Sequence, residues 1–372
     1  MEEEQVNLRI PGPTPCPPEV LEAVARPMIN HRGPQFAQLI ERVVQHLREF
    51  YRTKSDVLIL TASGSGGMEA AIVNTLSPGD KLLGISVGAF GDRFAAMAEA
   101  HGAEVVRLSY EWGRAAAPDD VRKALRENAN VKAVLVTHNE TSTGVTNPLA
   151  EIAAAAREFD VLFLVDAVSS LGAIPLETDA WGLDVVVTGS QKGWMVPPGL
   201  AFVSVSERAW RAYEAARMPR FYFDLGRHRD ALAKGQTPWT PALSILFGLD
   251  VALAEMAREG LPAIFQHHAR IAQMTRDGIK ALGLELLADE PFASPTVTAV
   301  KVPEGVDEKA LRRMMEEKFR VVLAGGQGQL AGKIFRIGHL GWVSEEDIRH
   351  TLGALENALP GLGFAVHARQ AS

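Results

Sequence analysis

Val161-Leu162-Phe163-Leu164-Val165-Asp166 is followed by Ala167-Val168-Ser169-Ser170-Leu171-Gly172-Ala173, and further on Asp184-Val185-Val186-Val187-Thr188 leads into Gly189-Ser190-Gln191-Lys192-Gly193. Each opening run is short, continuously apolar and rich in Val and Leu. That is how a strand covered on both faces reads, and such strands build parallel sheets. Parallel neighbours need a crossover connection. Lys192 lies 26 residues beyond Asp166, room for one strand-helix-strand step. Both polar ends therefore fall on the C-terminal edge of one sheet, where open α/β sheets place ligands.

The same signal recurs outward from this pair. Strands are predicted at Val57–Leu60, Lys81–Ser86, Val105–Leu108, Val131–Thr137, Val161–Asp166, Asp184–Thr188 and Ala201–Val205. Helices are predicted between them at Gly67–Thr75, Gly91–Ala100, Pro118–Asn128 and Pro148–Phe159. Strand-helix alternation implies right-handed crossovers and a mainly parallel sheet. The pattern changes at the polar, Pro-bearing stretch Gly226–Pro241. A long helical region from about Ala242 to Leu282 follows, then strand-like Val297–Val302, a helix near Asp307–Lys318, strand-like Ile334–Ile337 and a last helix from Ser344 to Ala358. Ser344 with Asp347 resembles a capping box. The expected division is an N-terminal segment 1–20, a large domain 21–255 and a small C-terminal domain 256–372.

Composition fits this reading. The 372 residues are 47% hydrophobic and 22% charged, enough apolar surface to fold and more chain than one core usually supports. A net charge of −7 without a basic stripe argues against nucleic acid and membrane surfaces as partners. Cys16 is the only cysteine, so no internal disulfide can form. Met1-Glu2-Glu3-Glu4 lacks the order of a signal peptide, and no apolar run approaches the roughly 18–20 residues of a membrane span. A soluble cytoplasmic protein is expected.

Several motifs fail on inspection. The dinucleotide fingerprint begun by Gly64-Ser65-Gly66 needs a glycine where Glu69 stands, and a phosphate loop at Gly332-Lys333 needs a glycine at Gln327 and a hydroxyl at Ile334. His267-His268 is a lone pair, so no metal site is expected.

Four features survive, each after a predicted strand. Ser63-Gly64-Ser65-Gly66-Gly67 can hold a phosphate at a helix N-terminus, with Ser65 as cap, or can be a plain capped turn. His138-Asn139-Glu140-Thr141-Ser142-Thr143-Gly144 can line a pocket or satisfy its own backbone. Asp166 can pair with a protonated ring nitrogen or serve as a helix cap. Lys192 can be a solvated surface lysine. The uncharged run Trp194-Met195-Val196-Pro197-Pro198-Gly199 favours instead a desolvated, nucleophilic amine. Together they supply what pyridoxal phosphate needs: a lysine for a Schiff base, an acid for the ring nitrogen and a cup for the phosphate.

With those strings in place, the chain resembles the class V aminotransferases of fold type I, especially the alanine–glyoxylate and serine–pyruvate group. The likeness runs from Pro11-Gly12-Pro13-Thr14-Pro15 to Arg336-Ile337-Gly338, and the Asp166 and Lys192 strings are its most specific part. It implies an α/β fold: a large domain with a seven-stranded, mainly parallel sheet between helices, and a smaller α+β domain. It implies pyridoxal 5'-phosphate held by Lys192, with Lys192 also moving the proton at the substrate Cα. Asp166 would pair with the ring nitrogen, Val168 would pack beneath the ring, Phe90 would stack on it and Thr141 would meet its hydroxyl side. Ser65, Gly66, Gly67 and Gln191 would bind the phosphate, completed by Thr237 and Lys234 of a neighbouring subunit in a homodimer. Arg336 would hold the substrate α-carboxylate, with Gly12 opposite. Gly67, Phe90 and Lys234 depart from the His, Trp and Tyr that relatives often carry there. The implied reaction moves the amino group of a small amino acid, alanine or serine, to a small 2-oxo acid, glyoxylate or pyruvate. Rival readings are another class V reaction, such as a lyase or a phosphoserine-type transaminase, and a non-catalytic hydrogenase-associated subunit.

Overall fold

All seven apolar runs form strands, and they lie side by side in one sheet. The structure is a computed structural model that describes residues 6–366; the acidic start Met1–Glu4 lies outside the described residues. In chain order the strands are β1 (Asn7–Arg9), β2 (Asp56–Thr61), β3 (Lys81–Ser86), β4 (Glu104–Ser109), β5 (Val131–Thr137), β6 (Asn139–Glu140), β7 (Val145–Thr146), β8 (Leu162–Asp166), β9 (Val185–Gly189), β10 (Leu200–Val205), β11 (Val297–Lys301), β12 (Val321–Gly325) and β13 (Ile334–Gly338). The large sheet has the order β2-β10-β9-β8-β5-β3-β4. Its neighbours from β9 to β4 are parallel, and β10 runs antiparallel to both β9 and β2.

Alternation along each strand explains the unbroken apolar runs. Val134, Val136, Phe163, Val165 and Val186 point into one core, shared with the helices Pro34–Tyr51 and Leu243–Glu259. Ala133, Leu135, Leu164, Val185 and Val187 point into another, under the helices Gly64–Thr75 and Ala89–Ala100. Neither face of the central strands β8 and β9 meets water, so their runs are apolar, whereas the edge strand β4 is partly exposed and carries Glu104 and Arg107. Each fully buried Val, Leu or Phe contributes about 1.5–3 kcal/mol. The register sets Thr137 beside Asp166 and Asp166 beside Val187, which puts the acid in the middle of the sheet's C-terminal edge.

A second sheet has the order β1-β12-β13-β11. Its core joins Val300, Val321, Phe335 and Ile337 to Leu311, Leu352 and Leu355 of the helices Glu308–Phe319 and Glu345–Ala358. The capping box at Ser344 and Asp347 is present with both reciprocal bonds. The N-terminal segment enters this sheet first: β1 pairs in parallel with β12 before the chain crosses to the large sheet.

Three stretches differ from expectation. The helical region after Ala242 breaks into Leu243–Glu259 and Leu261–Ala281, because Gly260 takes φ +83° and Pro262 sits at the start of the next helix. The polar stretch 226–241 contains most of a helix, Leu225–Leu232, capped by Asp224 accepting from Gly226 and Arg227 N–H. Pro34–Tyr51 is an 18-residue helix absent from the expected elements, although Phe36, Leu39, Ile40, Val43, Val44 and Leu47 carry its apolar stripe.

Candidate active site

A cavity of about 220 Å³ opens at the C-terminal edge of β5, β8 and β9. Gly12, Ser65, Phe90, Thr141, Asp166, Val168, Gln191 and Lys192 all line it. A larger cleft, about 1010 Å³, runs between the helix Pro34–Tyr51 and residues 229–235. Its lining charges are lysines, arginines and acids, and it lacks a desolvated nucleophile beside an acid, so the smaller cavity is the candidate site.

Lys192 is only 9% exposed, and its Nζ donates to the Pro11 carbonyl. Burial lowers its pKa from 10.5 to about 8; Asp166 pulls it back up, while Arg336 and Arg93 push it further down. The N-terminal segment makes this burial. Thr14 donates through N to the Gln191 carbonyl at 3.1 Å and through Oγ1 to the Lys192 carbonyl at 3.0 Å. A Cβ at Gly12 would lie 2.7 Å from Lys192 Cδ and Nζ, and Gly12 has φ +129°, so only glycine lets the chain cross there. The uncharged run after Lys192 acts differently from expectation. Only Pro198 of that run lines the cavity, while Trp194 is fully buried edge-on to Phe50 and Phe202 and anchors the loop in the core.

Asp166 is buried, and burial raises its pKa from 3.8 to about 6. The Val168 N–H donates to Oδ1 at 2.9 Å and Thr137 Oγ1 donates to Oδ2 at 3.4 Å; these bonds and Lys192 oppose the shift, and nearby Glu140 adds to it. Such a carboxylate is poised to accept a cation. Glu140 is also buried, and burial raises its pKa against a set of donors: the N–H groups of Phe90, Gly91 and Ser142 and the Ser142 hydroxyl. It thus caps the helix Ala89–Ala100 from outside and fixes Phe90 at the cavity wall. Thr141 Oγ1 donates to Ser169 Oγ at 2.7 Å, and Asn139 Nδ2 donates to the same oxygen at 2.9 Å.

Five expected residues lie outside the lining. The helix after β2 starts at Gly64, three residues earlier than expected, so Ser63 rather than Ser65 is the N-cap, accepting from Gly66 N–H at 3.4 Å. The earlier start turns Gly67 toward the sheet. Its N–H bonds the Ser63 carbonyl, and a Cβ there would lie 2.6 Å from Val187 Cγ1. Gly67 therefore packs the helix on the sheet and has no N–H to offer a phosphate. Gly66 also lies beyond the lining, against Phe223. Arg336 is buried behind the wall, donating Nε to Gly325 O at 2.9 Å and Nη1 to Thr141 O at 3.0 Å, and burial lowers its pKa to about 10. Lys234 lines the large cleft, and Thr237 Oγ1 donates to the Trp239 carbonyl at 2.7 Å. Neither reaches its own chain's cavity. Conversely, Asn139, Ser169 and Arg93, to which neither the strings nor the resemblance gives a role of their own, line the cavity. The first two sit inside the quoted strings, and Arg93 has only its spacing of one helical turn from Phe90 as a signal.

The residues fit pyridoxal phosphate. The buried Gln191 Oε1 has no hydrogen-bond partner among the described residues, so a side chain that borders the cavity carries an unmet polar group. Ser65 faces in at a helix N-terminus, and an acid and an amine with opposed shifts stand together. A parallel sheet carrying this site defines a fold type I enzyme that uses pyridoxal phosphate. The family model for class-V aminotransferases matches residues 6–344, and the chain belongs to that family. It is 47% identical to the soluble hydrogenase small subunit of a Synechococcus species, over 97% of this chain and 95% of that one. It is 38% identical to the L-aspartate–glyoxylate aminotransferase of Paracoccus denitrificans, over 96% and 92%. The crystal structure of an alanine–glyoxylate aminotransferase from a Nostoc species superposes with a TM-score of 0.93 at 32% identity, covering 96% of each chain.

Proposed function

We propose that this protein transfers the amino group of a small amino acid, alanine or serine, to a small 2-oxo acid, glyoxylate or pyruvate, in two alternating half-reactions. The observation that carries this reading is the pairing of Lys192 and Asp166 in one buried cavity, the amine shifted down and the acid shifted up. The alanine donor and glyoxylate acceptor draw support from the Nostoc enzyme, and the acceptor also from the Paracoccus one.

Pyridoxal phosphate, when bound, supplies an electrophilic carbonyl and an electron-withdrawing ring. Asp166 offers a carboxylate to a protonated ring nitrogen, and its two hydrogen bonds hold it in the sheet plane. Val168 and Phe90 give the ring apolar faces. Ser65 and the Gln191 amide offer donors to phosphate oxygens. Lys192 Nζ, neutral in a useful fraction near neutral pH, takes the proton from the substrate Cα and returns it. Arg336, whose Nε and Nη1 are held by the Gly325 and Thr141 carbonyls, offers its remaining Nη2 edge to the α-carboxylate, with Gly12 opposite. Thr237 and Lys234, which face away from their own cavity, complete the phosphate cup of a second copy in a homodimer. The exposed aromatic group of Phe221 and Tyr222 against Trp239 supports a covered surface there. We divide the chain into an N-terminal segment 1–20 that reaches the site, a large domain 21–255 and a small domain 256–372. No helix among the described residues is long and apolar enough to cross a membrane, and we place the protein in the cytoplasm.

The Synechococcus relative favours a second reading, a hydrogenase-associated subunit. One experiment separates the two. Purified protein is loaded with cofactor and assayed with a matrix of amino donors and 2-oxo acceptors, with Lys192→Ala as control. Turnover that depends on Lys192 is expected. A colourless protein that leaves every pair unconverted refutes the enzyme.

A further inference from the structure

Arg93 is a cation that the reading above leaves without a task. It lies on the helix Ala89–Ala100, one turn beyond Phe90, and lines the cavity. Its guanidinium carbon sits 4.8 Å from the Phe90 ring centroid, so the ring face steadies the side chain and leaves its N–H edge available. Among the described residues no carboxylate lies within 4 Å of it. The acids nearby are engaged elsewhere. Asp92 accepts from Ser86 Oγ at 2.7 Å and faces Arg107 at 3.7 Å. Glu140 is filled by the donors of its own loop and helix. Asp166 takes the Val168 N–H and the Thr137 hydroxyl.

The charge is also felt at the reacting amine. Arg93 and Arg336 both depress Lys192, so two guanidinium groups act on one small cavity. Arg336 approaches from the strand β13 and is tied to the carbonyls of Gly325 and Thr141; Arg93 approaches from the helix Ala89–Ala100 and is exposed while it borders the cavity. One anchor is enough for an α-carboxylate. A second, planar and with no acid among the described residues to neutralise it, matches a second carboxylate. The phosphate turn lies on another helix, Gly64–Thr75, which carries its own donors.

We propose that Arg93 determines specificity by binding the distal carboxylate of an amino dicarboxylic acid, aspartate or glutamate, and of the corresponding 2-oxo dicarboxylic acid. The proposal rests on the aminotransferase reading and widens its donor range from neutral to acidic side chains. Asparagine provides the control, since it has the shape of aspartate without the charge.

The test measures kcat/KM of the cofactor-loaded enzyme for the half-reaction with L-aspartate and with L-asparagine, in wild type, Arg93→Gln and Arg93→Lys. Wild type should favour aspartate at least about tenfold, and Arg93→Gln should collapse that ratio by about 10- to 100-fold, the effect of losing one charge-assisted contact. Arg93→Lys should restore part of the ratio, because it keeps the charge without the fork. Cofactor affinity is read in parallel from visible absorbance. A wild-type ratio at or below one overturns the proposal. So does a ratio that Arg93→Gln leaves unchanged, including a common loss of both donors with weakened cofactor binding, which would make Arg93 a phosphate or subunit contact. A wild type that converts no amino acid at all overturns the aminotransferase reading as well, and is told apart by its failure with alanine and serine.

Discussion

Capture of the cofactor by the apoprotein should titrate with Lys192, and its midpoint should fall near pH 8. Only the neutral amine attacks a carbonyl. A lysine at the ordinary 10.5 is about 0.1% neutral at pH 7.5, whereas one at about 8 is about 24% neutral, a gain of about 240-fold in reactive amine. The largest cause is burial beneath the N-terminal segment, opposed by Asp166 and assisted by Arg336 and Arg93. The sign follows: the rate rises with pH through about 8 and then levels off. Stopped-flow absorbance of apoprotein mixed with pyridoxal phosphate, from pH 6 to 10.5, measures it, with Lys192→Ala as the blank. Asp166→Asn removes the charge that raises the lysine and should move the midpoint down; Arg336→Gln removes one that lowers it and should move the midpoint up. A rate still climbing at pH 10, with its midpoint near that of a free lysine, would mean that the amine is hydrated, and the burial argument would be wrong.

Asp166→Asn should fold normally, since the Val168 N–H can still donate to the amide oxygen, yet slow proton removal from the substrate Cα by about 100-fold or more; single-turnover spectroscopy with alanine reads the rate, and a wild-type value would remove Asp166 from the chemistry. Arg336→Gln should raise KM for alanine and glyoxylate by about 10- to 100-fold through loss of a charge-assisted contact of roughly 1.5–3 kcal/mol. Cofactor absorbance should stay near normal in that variant, and an unchanged KM would show that another group holds the α-carboxylate. Hybrid dimers of Lys192→Ala and Thr237→Ala chains should contain one doubly damaged and one intact site, so fluorescence titration of purified hybrids should find partly restored cofactor affinity. Affinity no better than the parents' average would place the phosphate cup within one chain.

Sequence alone determined the sheet. Its central strands are buried on both faces, so the positions along Val161–Val165 and Val185–Val187 are apolar throughout, and that constraint survives in one dimension. It determined the two central groups for the same reason: Asp166 and Lys192 follow adjacent strands, and adjacent parallel strands end at one edge. It determined the capping box at Ser344, a purely local structure. The helix Pro34–Tyr51 was equally legible, since its stripe repeats at helical spacing.

Tertiary structure decided the rest, because contacts between distant segments leave no local pattern. β1 enters the second sheet before the chain returns over Lys192, so the amine is desolvated mainly by residues 11–14 rather than by its own neighbours at 194–197. Arg336 comes from the same second sheet, and its bond to the Thr141 carbonyl joins residues 195 positions apart. The family resemblance gives Gly67 to the phosphate, but a helix starting at Gly64 turns it onto Val187. The helix start depends on which serine finds a free N–H, Ser63 or Ser65, and packing against the sheet settles that choice. Arg93 had no signature of its own: a guanidinium on a helix is usually solvated, and only the cavity it borders, together with the prior commitments of the surrounding acids, distinguishes it.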